Sequence, residues 1–199
     1  MEYKIQRARK ENAPFIAESV MEAVGRELCI HLADGEENLP KVRELFTRLA
    51  RQENSQYSFK NTFIAFSDSN TPIGAIIVYD GSRLRELRKA FIDAANDILG
   101  WNISYTDAEK WGDETEAGEI YIDSLYVLPA FRKNGIASAL ISTAMAEKEH
   151  HGKPFGLLVE PDNTNARHLY ESLGFREVGI SKFFTTPMIH LQTLTSVQQ

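Results

Sequence analysis

The chain has 199 residues, of which 43% are hydrophobic and 25% are charged, and this length is enough for one domain with a proper core. Its formal net charge of -6 at pH 7 argues against nucleic acid as a partner, because proteins that bind phosphate backbones usually carry a basic surface. The single cysteine excludes an internal disulfide, no histidine spacing matches a common metal motif, and no apolar run is long enough to span a bilayer, so we expect a metal-free cytoplasmic protein without a membrane partner.

The first part of the chain predicts one strand and two helices. Residues 3 to 7 alternate between larger and polar side chains and indicate a short strand. A helix follows, with Asn12 as its cap and Pro14 in its first turn. A second helix begins after Leu39, and its predicted inward residues recur at helical spacing: Val42, Leu45, Phe46 and Leu49.

The middle of the chain predicts a hairpin and an insertion. Residues 62 to 66 and 73 to 79 are typical of strands, and the polar turn between them makes the pair a hairpin. Residues 80 to 118 are predicted to form a helix that stops at Gly100, followed by an acidic and partly helical loop. We expect one domain over residues 1 to 199, with the insertion at about 80 to 118.

The last part of the chain alternates strands with helices. The predicted bounds are strand 119–127, helix 134–150, strand 155–159, helix 163–173, strand 175–180 and strand 183–191. A hairpin combined with strand–helix–strand units predicts an α/β fold with a mixed sheet.

A short loop joins the strand at 119–127 to the next helix and contains a basic pair and Gly135. Such a junction leaves free backbone N–H groups at the positive end of a helix, which is a site for a phosphate group. Gly135 has no Cβ, and Ala137 is small, so the backbone can approach a pyrophosphate closely. The alternative is a basic surface turn that opens an ordinary helix.

Two segments resemble the GNAT superfamily of N-acetyltransferases. The cofactor-binding core of that family reads Arg/Gln-x-x-Gly-x-Gly/Ala, and here it is Arg132-Lys133-Asn134-Gly135-Ile136-Ala137. The family's second motif is similar to Asn163-x-x-Ala166-x-x-x-Tyr170-x-x-Leu173-Gly174-Phe175. The two segments lie in the expected order, with helix and strand patterns between them.

The resemblance implies a GNAT-like acyl-CoA N-acyltransferase fold, with a central mixed, mostly antiparallel sheet flanked by helices. It implies acetyl-CoA as co-substrate, no metal, and transfer of the acetyl group to a primary amine by direct attack in a ternary complex. The cofactor contacts that it implies are Leu125, Tyr126, Val127, Arg132, Lys133, Asn134, Gly135, Ile136, Ala137, Ser138, Asn163 and Tyr170.

In the family, the strand before the loop diverges from the next strand, and the pantetheine arm pairs with the exposed backbone. The resemblance therefore implies that Leu125 and Val127 offer backbone groups to that arm. It also places Tyr170 beside the thioester sulfur as general acid, where a phenol with a pKa of about 10 faces a thiol of about 8.5. The alternative is a core tyrosine. Asn163 is expected to cap its helix, alone or together with a cofactor contact.

The acceptor amine has a pKa of about 10.4 if it is lysine-like, so a general base is expected. Glu119, Tyr121 and Asp123 are two residues apart along one strand and share a face. Glu119 and Asp123 are therefore the candidate catalytic carboxylates, and the sequence does not choose between them.

Several alternatives stay open at this point. The acidic segment from 107 to 119 is either a lid that attracts a cation or a solvated loop. Trp101, Tyr105 and Trp111 either form a wall for a cationic group or hold the insertion against the core. The acceptor is an amine on a small molecule or a peptide, and a homodimer is left open. The rival function is a non-catalytic acyl-CoA sensor or interaction domain on the same fold.

Overall fold

The computed structural model of the chain describes residues 2–147, 150, 152–183 and 186–194. Its strands are β1 (Tyr3–Arg7), β2 (Thr62–Ser67), β3 (Pro72–Asp80), β4 (Ile120–Val127), β5 (Phe155–Val159), β6 (Phe175–Phe183) and β7 (Thr186–Thr193). They form one sheet in the order β1-β2-β3-β4-β5-β7-β6. Neighbouring strands run antiparallel, except that β4 and β5 are parallel. The predicted α/β fold with a mixed, mostly antiparallel sheet is confirmed.

The helices cover both faces of the sheet. They are α1 (Ala13–Val24), α2 (Arg26–Ala33), α3 (Leu39–Arg51), α4 (Leu84–Leu99), α5 (Tyr105–Glu109), α6 (Ile136–Met145) and α7 (Thr164–Ser172). One buried cluster packs α1 to α4 against β2 and β3, and a second packs α6 and α7 against the opposite face. Within the described ranges, no helix combines the length and the apolar character that crossing a bilayer requires.

The N-terminal helices agree with the sequence in part. Helix α1 begins after Asn12 as predicted, but the Asn12 side chain accepts a hydrogen bond from the Arg9 amide (2.9 Å) instead of capping α1. The predicted inward face of α3 is buried throughout. Helix α2 was not predicted, because it has only eight residues and follows directly on Gly25, whose left-handed backbone (φ 87°) bends the chain.

Two predicted boundaries are wrong. Helix α6 begins at Ile136 and ends at Met145, well inside the predicted range of 134–150. Beyond the helix, the Nδ1 atom of His150 lies 2.8 Å from the Ala144 carbonyl oxygen. Phe183, predicted to open the last strand, instead ends β6, where it pairs with Thr186 of β7.

The insertion packs closely on the rest of the protein. Gly100 ends α4 in a left-handed conformation, as predicted. The Trp101 indole donates to the Leu32 carbonyl (3.1 Å) and packs edge-on against Phe91 and Trp111. These contacts favour the reading in which the aromatic residues hold the insertion against the core. That residues 1 to 199 form a single domain stays a prediction.

Candidate active site

The loop between β4 and α6 presents backbone amides at the start of a helix. Lys133 and Gly135 have left-handed backbones (φ 61° and 75°), whereas Asn134 between them does not. Such alternation turns successive N–H groups toward one side. Helix α6 has no side-chain cap, and its first backbone hydrogen bond runs from the Ala139 amide to the Gly135 carbonyl (3.0 Å). The preceding amides have no helical acceptor, as an anion site requires.

Side chains of the same loop hold its shape. The Asn134 amide group donates to the carbonyls of Phe131 (3.1 Å) and Arg132 (3.0 Å). The Arg132 Nε donates to the Val127 carbonyl (3.0 Å), and its guanidinium lies 5.9 Å from the centre of the Tyr126 ring. Four predicted cofactor residues thus brace the junction of strand and loop, whatever ligand it binds.

The space around the loop is open where a ligand is expected. A Cβ added at Gly135 would meet no protein atom within 4 Å, so glycine is needed here for its left-handed backbone and not to relieve crowding. Lys133 is exposed beside it, and Ala137 and Ser138 in the first turn of α6 are half-buried. Ile136 is instead buried in the core and holds α6 on the sheet.

Strands β4 and β5 diverge after a short contact. They pair only at Ile120–Phe155 and Tyr121–Gly156, although β4 continues to Val127. The Leu128 amide donates to the Ile73 carbonyl of β3 (2.9 Å). Because antiparallel hydrogen bonds alternate, Tyr126 also pairs with β3, whereas Leu125 and Val127 direct their backbone groups into the gap. The predicted divergence is therefore present, with backbone available for an extended ligand.

Tyr170 lies on α7, which covers the opposite face of the sheet from α1, and Asn163 immediately precedes that helix. Asn163 caps the helix, since its side-chain oxygen accepts from the Ala166 amide (3.2 Å). Tyr170 is buried and packs edge-on against Phe175, with 5.5 Å between ring centres. Burial raises the pKa of Tyr170 to about 12. The phenol is therefore a weaker acid than the sequence implied, but it keeps its proton for a hydrogen bond.

Glu119 is an internal anchor. Its carboxylate is fully buried, accepts from the Glu116 amide (2.9 Å) and the Gln192 side chain (2.9 Å), and lies 3.0 Å from His190 Nε2. A Cβ at Gly156 would lie 1.8 Å from its Oε2 atom, so β5 needs glycine there. These contacts tie the start of β4 to β5 and β7. They give the predicted catalytic role of Glu119 no support.

Asp123 lies in a β-bulge at the point where β4 leaves β5. The register joins Ile77 to Ser124 and Val78 to Ile122, which leaves Asp123 as the extra residue. A bulge re-aims side chains and bends its strand, and bulges are frequent next to active sites. No sequence signal pointed to this irregularity.

The Asp123 carboxylate accepts two hydrogen bonds, from Tyr79 Oη (3.1 Å) and from Ser124 Oγ (2.9 Å). Burial of the carboxyl group, and then the negative charge of Glu114, raise its pKa to about 7. A carboxyl group with that pKa accepts and releases protons near neutrality, as a general base requires.

A chain of polar contacts extends from Asp123 toward the insertion. The Gln56 side chain donates to Tyr79 Oη (3.3 Å) and to Glu114 Oε1 (3.3 Å). Glu114 is in turn ion-paired with Arg88, which also donates to the Gly112 carbonyl (2.8 Å). The sequence did not single out these partners, because they come from four separate segments. The predicted hairpin placed Tyr79 on a strand, but the pairing of that strand with β4 is seen only in the structure.

Among the residues that the structure describes, no group of three or more His, Cys, Asp or Glu side chains could hold a metal ion. The acidic residues of the insertion are largely paired within it. Asp107 binds Lys110 (2.7 Å), and Asp113 binds Arg85 (2.8 Å). This pairing leaves less free negative charge for a cation-attracting lid than the sequence indicated.

Comparisons with known proteins agree with this arrangement. Residues 31–175 match the family model described as the acetyltransferase (GNAT) family. Over 88 residues the chain is 38% identical to a mycothiol acetyltransferase of Rhodococcus erythropolis, a match that covers 43% of this chain and 28% of that protein. The chain thus spans less than a third of the length of this curated relative.

Solved acetyltransferase structures share the fold. One crystal structure of an acetyltransferase superposes with a TM-score of 0.73 at 23% identity, covering 97% of this chain and 100% of the other. An N-acetyltransferase from Staphylococcus aureus Mu50 gives a TM-score of 0.71 at 20% identity, covering 96% and 100%. At such identities the likeness concerns the fold alone.

Proposed function

The chain belongs to the GNAT acetyltransferase family, and on that premise we propose that it is an N-acetyltransferase that moves the acetyl group of acetyl-CoA to a primary amine. One observation carries the proposal. The gap between β4 and β5 begins near the uncapped start of α6 and runs back to a carboxyl group, Asp123, with a pKa of about 7.

The residues present fit a coenzyme A thioester. Backbone amides from Lys133 to Ser138 would hold the diphosphate, because they open an uncapped helix. Leu125 and the Val127 amide would pair with the pantetheine arm through the backbone groups that face the gap, whereas the Val127 carbonyl already accepts from Arg132. When bound there, acetyl-CoA supplies an activated acyl group within reach of the Asp123 side of the sheet.

Asp123 acts as the general base in this proposal. An ammonium with a pKa of about 10.4 must lose a proton before nitrogen can attack, and a carboxylate that titrates near 7 can take that proton at neutral pH. The Tyr79 and Ser124 hydroxyls hold the carboxylate in place. One proton of the ammonium moves to Asp123 before the C–N bond forms, and the second proton, which nitrogen loses after attack, balances the one that the departing thiolate takes up.

Tyr170 assists the leaving group. As the C–S bond breaks, the sulfur gains negative charge, and the phenol donates a hydrogen bond to it. The Tyr170 pKa of about 12 lies above that of a thiol, near 8.5, so full transfer before bond cleavage is unfavourable. The hydrogen bond therefore does most of the stabilising in the transition state.

The composition of the chain bears on its compartment and on its partners. We place it in the cytoplasm, because its single cysteine suits a reducing compartment. The acidic net charge of -6 favours an amine substrate over nucleic acid or an anionic membrane surface.

A pair of glutamate substitutions on one helix tests the cofactor site. Ser138→Glu places a carboxylate in the first turn of α6, where it favours the helix but repels a phosphate. We expect its Kd for acetyl-CoA, measured by titration calorimetry, to rise by about tenfold or more, equivalent to about 1.4 kcal/mol. Ser142→Glu, exposed one turn later, is the matched control and should bind like the wild type.

Transfer itself is followed as release of free thiol on adding a panel of primary amines. Release that depends on the amine supports the enzyme. Tight acetyl-CoA binding without release for any amine would favour the sensor, and no binding of acetyl-CoA by folded protein would remove both functions.

A further inference from the structure

A cavity lies on the Asp123 side of the sheet, between helices α1 to α3 and the insertion that contains α4. Its volume is about 50 Å³. One water needs about 10–15 Å³, so the cavity has room for more than a single water. The lining residues are Val24, Leu28, Leu32, Phe46, Gln56, Tyr57, Arg88, Phe91, Trp111, Glu114 and Lys182. The space suits a compact group of a few heavy atoms.

The buried charges in the wall neutralise each other. Arg88 and Glu114 form an ion pair in which their side chains are only 8% and 13% exposed. Arg88 also donates to the Gly112 carbonyl (2.8 Å), and Glu114 also accepts from Gln56 (3.3 Å). Glu114 is the acidic residue among the described lining residues, so no unpaired carboxylate there can hold a second cation. Most of the remaining lining is aliphatic or aromatic, which favours an apolar occupant.

The cavity is connected to the proposed base. Gln56, in its wall, donates to Tyr79 Oη, which in turn donates to the Asp123 carboxylate (3.3 and 3.1 Å). Tyr57, also in the wall, is near enough to Asp123 that the carboxylate, after burial, raises the pKa of this phenol. The cavity wall is therefore two hydrogen bonds away from the carboxylate to which an amine would lose its proton.

Resting on the proposed acetyl transfer, we infer that this cavity binds the apolar end of the acceptor. The substrate class is then a small primary amine that carries a compact aromatic or branched aliphatic group. Its amine lies toward Asp123, and its apolar end lies among Leu28, Phe91 and Trp111. Polyamines fit poorly, because their second ammonium would enter a wall whose carboxylate is already paired.

Two amines and two tryptophan substitutions test the inference. The probes are 2-phenylethylamine and 1,4-diaminobutane, compared by kcat/KM from thiol release. We expect the aromatic amine to exceed the diamine by about tenfold or more, the range typical of hydrophobic discrimination. Leu28→Trp fills the cavity and should lower kcat/KM for the aromatic amine by at least about tenfold, with the KM for acetyl-CoA unchanged.

Leu39→Trp is the matched control, since Leu39 is also half-buried against the same core but does not line the cavity. It should stay within about twofold of the wild type. If thermal melting shows that Leu28→Trp does not fold, Val24→Trp fills the same space from α1.

Binding is also measured without turnover, by ligand-detected NMR of 2-phenylethylamine. The expected signal is present in the wild type and Leu39→Trp and lost in Leu28→Trp. Equal kcat/KM for the two amines, or a Leu28→Trp variant that behaves like the wild type, would overturn the cavity assignment and leave acetyl transfer standing. Binding in the cavity without thiol release from any amine would support the ligand class and overturn the proposed function.

Discussion

Glu119 and Asp123 lie on the same face of one strand, four residues apart, in opposite surroundings. Tyr121 lies between the two carboxylates in the sequence and pairs with Tyr79 on one side and Gly156 on the other. Gly156 makes room for Glu119, and Tyr79 donates a hydrogen bond to Asp123. Glu119 immediately precedes the part of β4 that is paired on both sides, and its carboxylate is fully bound by protein groups. Asp123 lies at the bulge where that pairing has ended. The sheet register, and not the residue type, separates an anchoring carboxylate from one that can react.

Removing the reactive carboxylate should give the largest effect. For Asp123→Asn we expect kcat/KM for a primary amine to fall by about 10²–10⁴-fold, because the base is lost while the shape is kept. Steady-state kinetics at pH 7.5 measures this.

Stability provides the control for that variant. The pKa of Asp123 is raised on folding, so above the unfolded value of about 3.9 the native state is penalised increasingly as the pH rises toward 7. Asp123→Asn should therefore melt at a higher temperature than the wild type at pH 8, with a smaller difference at pH 4. A variant that keeps full activity would exclude Asp123 as base.

Removing the anchoring carboxylate should affect folding first. Glu119→Ala leaves the buried His190 and the half-buried Gln192 without their shared partner, and we expect a loss of about 3–5 kcal/mol in the free energy of unfolding. Urea denaturation at pH 7 measures it. Glu116→Ala is the control, because that side chain is exposed and should change stability by less than about 1 kcal/mol. Equal losses of unfolding free energy in Glu119→Ala and Glu116→Ala would contradict the structural role of Glu119.

The same anchor predicts a pH dependence. The hydrogen bond to Glu119 is the main cause that raises the pKa of His190. A raised histidine pKa stabilises the fold below the unfolded value of about 6.5, and this contribution is lost as the pH rises through the folded value. The difference in unfolding free energy between the wild type and Glu119→Ala should therefore be larger at pH 6 than at pH 9. A difference that grows with pH would contradict this assignment.

Tyr170→Phe probes the opposite face of the sheet. We expect kcat to fall by about 10–100-fold, because one hydrogen bond to the departing sulfur is lost. The Kd for acetyl-CoA should change little, since the ring still packs against Phe175. Kinetics and calorimetry on the same preparation separate the two effects. Unchanged turnover would remove Tyr170 from the mechanism.

The smallest effects should come from the groups around Asp123. The Tyr79 hydroxyl lowers the pKa of Asp123, and the Glu114 charge raises it. Tyr79→Phe should therefore move the pH at which activity sets in upward, and Glu114→Gln should move it downward. Rates measured from pH 5 to 9 test the two directions, and a shift of the same sign in both variants would contradict the network.

The parts of the site that the sequence predicted well are formed by residues that are adjacent in the sequence. The loop around Gly135 and the cap at Asn163 need only a few consecutive positions, and both lie where the pattern places them. The residues around Asp123, where the acceptor amine would bind, could not be predicted in this way. Gln56, Tyr79 and Glu114 come together only through the sheet register and the packing of the insertion.

The choice between the two carboxylates lay beyond the sequence for the same reason. An alternating strand pattern places Glu119 and Asp123 on one face, as the structure does, but it carries no sign of the bulge or of β5 diverging. Helix α2 was missed for a simpler reason, because its eight residues give only about two turns of periodicity.

The pH dependence of kcat/KM for one primary amine, in the wild type and in Asp123→Asn, tests the central claim most directly. The account predicts a break near pH 7 in the wild-type profile and no such break in the variant. The same break in both proteins would show that another group takes the proton from the amine.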